Sequence, residues 1–121
     1  MSINSYRDLK VWQLSINLTE QVYQLTQNFP KQEVYGLASQ IQRAAVSIPS
    51  NIAEGHSRDS TKEFLHFISI SLGSLAELET QLILAGRLLY LEKKDLEIIL
   101  SKTDEIQRML RGLQKSLKAK L

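Results

Sequence analysis

Residues Gln40 to Gly55 read QIQRAAVSIPSNIAEG, and the packing that this stretch demands sets the arrangement of the rest of the chain. Ile41, Ala44, Ala45, Ile48 and Ile52 recur at helical spacing, so one face of a helix is buried. The opposite face carries Gln40, Arg43, Ser47, Ser50, Asn51 and Glu54, which are polar and mostly short. Small residues (Ala38, Ser39, Ala44, Ala45, Ser47, Ser50, Ala53) admit a second backbone closely, so the helix is expected to be enclosed on more than one side. Pro49 falls inside the pattern, has no N–H for the carbonyl of Ala45 and crowds it, at about 3 kcal/mol in an ordinary helix. A kink is expected between Ala45 and Pro49, with Ser47 or Ser50 answering freed carbonyls. Gly55 is expected to close the helix in the left-handed conformation.

The flanking segments supply the partners of this helix. Upstream, Ser5 to Asp8 reads as a capping pair opening a first helix with an apolar band of Leu9, Trp12, Ile16, Val22, Tyr23 and Leu25. That helix ends before Asn28-Phe29-Pro30, and after a turn at Pro30 to Glu33 the second helix is expected from about Val34 to Gly55. Downstream of a polar break at His56 to Ser60, Ser60 or Thr61 caps a third helix expected from Thr61 to Tyr90. Its residues Phe64, Ile68, Ser71, Leu75, Leu78, Leu82, Ala85 and Leu89 alternate steps of four and three, a heptad seam. It is apolar beyond that seam as well, at Leu65, Phe67, Ile70, Leu72, Ile83 and Leu84, which implies a second covered face and marks Ile70 and Leu84 as oligomer-interface candidates. Gly73, costly inside a helix, is expected to mark close backbone contact. A turn at Leu91 to Lys94 leads to a fourth seam of Leu96, Ile99, Thr103, Ile106, Leu110, Leu113 and Leu117. Short connections make successive helices antiparallel, so the chain is expected to be an all-α, up-down-up-down four-helix bundle, one domain over residues 1–121.

Composition narrows the function. With 121 residues the chain buries roughly two thirds of its unfolded surface. It has no cysteine, which excludes a disulfide frame, a thiolate metal site and a cysteine nucleophile. Its start, MSINSYRD, lacks the charged-then-apolar pattern of a signal peptide, and no apolar run approaches a membrane span, so a soluble, cytoplasmic protein without a membrane partner is expected. A net charge of +2 permits nucleic-acid binding without demanding it.

Catalysis finds no footing. The two histidines are His56 and His66, and Glu63-x-x-His66 is half of a di-iron carboxylate motif. The second pair is missing, and Glu63 and His66 lie off the apolar seam, so neither a metal nor another cofactor is expected. Glu77 and Glu79, two apart, point to different sides, and there is no phosphate loop, HExxH or nucleophile elbow. A non-enzymatic protein is expected. The remaining chemistry is charge placement: after Ile106 the chain carries Arg108, Arg111, Lys115, Lys118 and Lys120 and no acid, the first four forming one cationic stripe opposite the seam. The helix dipole alone also favours cations there, and Asp104 to Arg108 is a favourable i, i+4 pair. Arg43, Arg58, Lys62 and Arg87 are more scattered, and assembly of several copies multiplies their field. Arg43, Arg58, Arg108, Arg111, Lys115 and Lys118 are the nucleic-acid-binding candidates. Ser47, Asn51 and Glu54 join Ile70 and Leu84 as oligomer-interface candidates. A protein-interaction scaffold without nucleic-acid binding is the alternative.

The chain resembles the four-helix-bundle family of 23S rRNA intervening-sequence proteins, which is related to the accessory variability protein of diversity-generating retroelements. The resemblance rests on Leu9, Val11, Trp12, Tyr35-Gly36-Leu37, Gln40-Ile41 and Arg43-Ala44-Ala45. It is strongest at Ser47-Ile48-Pro49 and Asn51-Ile52-Ala53-Glu54-Gly55, and continues through Glu63-Phe64, Phe67, Gly73-Ser74 and Glu77. It implies an antiparallel bundle assembled as a homopentameric ring with a central opening. It also implies RNA or DNA as a partner, and a reverse transcriptase where the protein is linked to a retroelement. Gln42 stands where a second basic residue is common beside Arg43.

Overall fold

The helix built on Ile41, Ile48 and Ile52 packs between two others, its apolar face wholly removed from water. The computed structural model describes residues 5–121, and among these it has four α-helices and no strand. They are α1 (Lys10–Thr26), α2 (Leu37–His56), α3 (Thr61–Arg87) and α4 (Lys93–Lys118), with 3-10 turns at Tyr6–Asp8 and Lys31–Glu33. α1 and α3 each pack on both α2 and α4, while helices diagonally opposite do not meet. Leu18, Ile41, Ile48, Ile52, Ile68, Leu75, Leu78, Leu82, Ile99, Ile106 and Leu110 fill the space between them. The seams expected for the third and fourth helices are the ones buried, apart from half-buried Phe64, Leu96 and Leu113 and from Leu89, which lies beyond the end of α3.

Pro49 sits inside an unbroken α2, and the carbonyl it leaves without a partner is answered from another helix. It is the Thr19 hydroxyl of α1, shared between the Ser15 carbonyl of its own helix at 2.8 Å and the Ala45 carbonyl at 3.2 Å, that reaches it, not Ser47 or Ser50 as expected. Ser47 ties α2 to α3 instead, and Ser50 is exposed. The Ser71 hydroxyl donates to the Ile48 carbonyl at 3.0 Å, and the Ser47 and Ser74 hydroxyls lie 2.8 Å apart. Gly55 is not a left-handed cap: it lies within α2, and a Cβ there would come within 2.6 Å of the Cβ of Phe67. Its role is to let α2 and α3 touch. Gly73, where close contact was expected, has nothing within 4 Å of its missing Cβ.

Other boundaries shift for local reasons. Ser5 accepts from the Arg7 N–H and caps the Tyr6–Asp8 turn, so α1 starts later, at Lys10. The buried stripe of α1 is Val11, Ser15, Leu18, Val22 and Thr26, whereas Trp12 and Ile16 are half-buried and Tyr23 is exposed. Polar Ser15 and Thr26 escape an apolar count because their hydroxyls bond back to the Val11 and Tyr23 carbonyls. α2 begins at Leu37 because the Lys31–Glu33 turn intervenes and the Glu33 carboxylate accepts from the Leu37 N–H at 3.0 Å. The same carboxylate accepts from the Tyr90 hydroxyl at 2.9 Å, and this hydrogen bond raises the Tyr90 pKa above its ordinary value.

α3 ends at Arg87 in a Schellman turn, with the Tyr90 N–H on the Ala85 carbonyl and the Leu89 N–H on the Gly86 carbonyl. The position that favours glycine holds Leu89, at φ 65° and 87 % exposed. Relief of left-handed strain of about 1–2 kcal/mol, less the entropy glycine adds to the unfolded chain, leads us to expect Leu89→Gly to stabilise the fold by about 0.5–1 kcal/mol. A denaturant midpoint that fails to rise would refute this.

By length and composition α3 is sufficient to cross a membrane, with an 18-residue window of mean hydropathy 1.3, contrary to the expectation that no run approaches a span. A core helix passes the same test, and here Ile68, Leu75, Leu78 and Leu82 belong to the bundle core.

Candidate nucleic-acid interface

Cross-helix contacts fix which side chains share an end of the bundle. Glu79 accepts from the Thr103 hydroxyl at 2.7 Å, and Gly86 faces Leu96, so α3 and α4 run antiparallel. Leu25 lies by Asp95 and Leu18 by Ile106, so α1 and α4 do the same. Continuing that register brings the last turn of α4 level with the first turns of α1 and α3 and with the α2–α3 connection. Arg7, Lys10, Arg58, Lys62, Arg111, Lys115 and Lys118 therefore gather at one end, with Asp8, Glu54, Asp59 and Glu63 as the acids there. Arg108 stands one turn inward on the exposed side of α4. Arg43 is exposed on α2, diagonally across from α4, and does not join this group.

Most of these cations are uncommitted. Among the described residues Arg58–Glu54, at 2.9 Å, is the one ion pair. The expected Asp104–Arg108 pair does not form. Arg111 donates to the Gln114 side chain at 3.0 Å, a neutral acceptor that leaves its charge available. Exposed ammonium and guanidinium groups without carboxylates attract phosphates through a field that salt screens.

Arg58 is held differently. Its guanidinium carbon lies 4.9 Å from the centre of the Phe67 ring, and the His66 ring meets Phe67 edge-on at 5.6 Å. Arg58, Lys62, Glu63, His66 and Phe67 line an open cleft of about 440 Å³. Reading the stripe on α4 alone missed this juxtaposition, although the Lys62 to His66 spacing of one helical turn was visible. Glu63 and His66 are both exposed, and no group of three or more His, Asp or Glu side chains that could hold a metal ion occurs among the described residues.

The oligomer-interface candidates divide into two sets. Ser47 and Asn51 are half-buried and bonded within the chain, Asn51 donating to the Ser47 carbonyl at 2.8 Å and to its hydroxyl at 2.9 Å. Glu54 is exposed and paired with Arg58. Ile70 and Leu84 are 37 % and 47 % exposed and lie with Gly73, Ala76, Thr80 and Ile83 along the outer side of α3.

A chain of known structure, from a protein of unknown function of the S23 ribosomal protein family in Bacteroides thetaiotaomicron VPI-5482, has a similar fold. It superposes with a TM-score of 0.78 at 27 % sequence identity, over 87 % of this chain and 98 % of the other. No curated protein matches the chain. The family model for the 23S rRNA-intervening sequence protein matches residues 7–112, from the cationic start of the bundle through most of α4. This chain is therefore a member of the 23S rRNA-intervening sequence protein family.

Proposed function

We propose that this protein is a non-enzymatic, cytoplasmic RNA-binding bundle that works as a homo-oligomer, with a pentameric ring as the assembly. The observation that carries the reading is the convergence at one end of cations from α1, α3 and α4 that have no ion-pair partner among the described residues. Arg108, Arg111, Lys115 and Lys118 contact phosphate there, Arg58 lies beside them with its charge shared with Glu54, and Arg43 serves a separate surface. Family membership favours RNA over DNA. The test is binding of labelled RNA and DNA of one sequence across a salt series. Affinity should fall steeply with salt, because each phosphate contact releases condensed counterions. Absence of RNA binding at low salt would overturn the reading.

A second reading, a scaffold for other proteins, is favoured by the apolar outer side of α3. A retroelement-linked copy would then hold a reverse transcriptase. Light scattering at micromolar concentration should give about five times the mass of one chain. A monodisperse monomer would remove both the ring and the scaffold that depends on it.

A further inference from the structure

We infer that the cleft between the α2–α3 connection and the first turns of α3 receives one unpaired RNA base, stacked on the Arg58–Phe67–His66 group with its phosphate on Lys62. The inference rests on the RNA-binding reading above and goes beyond it, since phosphate attraction alone does not distinguish a single strand from a duplex. Three observations meet here. Phe67 is half-buried, with its Cβ against Gly55 and its ring between the Arg58 guanidinium and the His66 ring, so part of it stays at the surface. Arg58 is pinned from two sides, by Glu54 at 2.9 Å and by the Phe67 ring, which presents a planar cation at a defined height. Lys62 stands free of any ion pair among the described residues at the rim of the same cleft. Glu63, the acid of the lining, is turned back toward the α3 cap, where it accepts from the Ser60 hydroxyl at 3.2 Å.

The chemistry fits a single strand. Stacking on aromatic rings and guanidinium planes is available only to bases released from a helix, because a duplex keeps its base faces inside. Arginine over an aromatic ring supplies both a π face and a positive charge for the flanking phosphate.

The experiment compares the full-length protein with Phe67→Leu, Arg58→Lys and Lys62→Ala, using a fluorescent 12-nucleotide RNA as a single strand and as a duplex. Phe67→Leu keeps the Cβ and the apolar bulk, and Arg58→Lys keeps the charge while removing the plane. Each should weaken single-strand binding about five- to fiftyfold, leave duplex binding within about twofold, and leave the salt dependence unchanged. Lys62→Ala should weaken both and lower the salt slope by about one. Single-strand affinity that survives both Phe67→Leu and Arg58→Lys removes the cleft but leaves the cationic end in place. Equal losses for strand and duplex from Arg58→Lys also overturn it, even if Phe67→Leu does not fold. A native protein that binds neither RNA loses the RNA reading and the cleft together.

Discussion

Changing Arg108, Arg111 and Lys115 to glutamate in one protein should lower RNA affinity at least about a hundredfold at low salt and reduce the salt slope by about two for a single strand. The three side chains are exposed, and none has a carboxylate partner, so all of their charge is available to phosphate. Reversal replaces attraction by repulsion, and in a ring each subunit repeats the change. The core-facing residues of the same helix, Ile106, Leu110 and Leu117, are untouched. Stability should fall by about 0.3–1 kcal/mol, because of the three only Lys115 lies in the last turn of α4, where an acid meets the negative end of the helix dipole, which a melting curve reads separately. The control is reversal of Lys93 and Lys94, exposed at the opposite end of α4. That pair should change affinity only a few fold. A loss as large as that of the triple variant would mean that net charge, not its location, governs binding.

How much of this was legible in the sequence follows from which forces are local. The seams of α3 and α4 were visible because aliphatic side chains at heptad spacing have one way to leave water, and Ile68, Leu75, Ile99 and Leu110 are buried as read. The α1 stripe was not, since Ser15 and Thr26 satisfy their hydroxyls on the helix's own backbone and so occupy core positions as polar residues. Pro49 was correctly seen to orphan a carbonyl, but the donor, Thr19, lies 26 residues upstream and only the fold brings it there. The close approach expected at Gly73 occurs at Gly55 for the same reason: a missing Cβ shows that space is needed and not which neighbour needs it. In the candidate site the charge stripe on α4 was legible, because it repeats along one helix. The Arg58–Phe67 stack was not, because it joins the α2–α3 connection to α3 around a turn.

Those glycines give the other large effect. In Gly55→Ala the new Cβ would lie 2.6 Å from the Phe67 Cβ, 3.0 Å from the Phe64 Cδ1 and 3.3 Å from the Phe64 carbonyl oxygen. A Cβ and a carbonyl cannot swing aside as a side-chain tip can, so α2 and α3 must separate at that end. Overpacking of this kind costs about 1–3 kcal/mol, and the contact is close enough to place it at the upper end. Alanine's helix preference returns about 1 kcal/mol. The net loss should be about 1–2 kcal/mol, a melting point lower by roughly 4–10 °C. Because Phe67 is braced against Gly55, single-strand RNA affinity should fall with it. Gly73→Ala is the counterpart, since its Cβ meets nothing within the chain. The isolated subunit should gain up to about 1 kcal/mol, while assembly weakens if a neighbouring copy approaches the outer side of α3. Denaturation and light scattering at two concentrations separate the two effects. Gly73→Ala with full assembly and a raised melting point would place the ring contact elsewhere on the bundle, and Gly55→Ala that melts with the native protein would refute the tight α2–α3 contact.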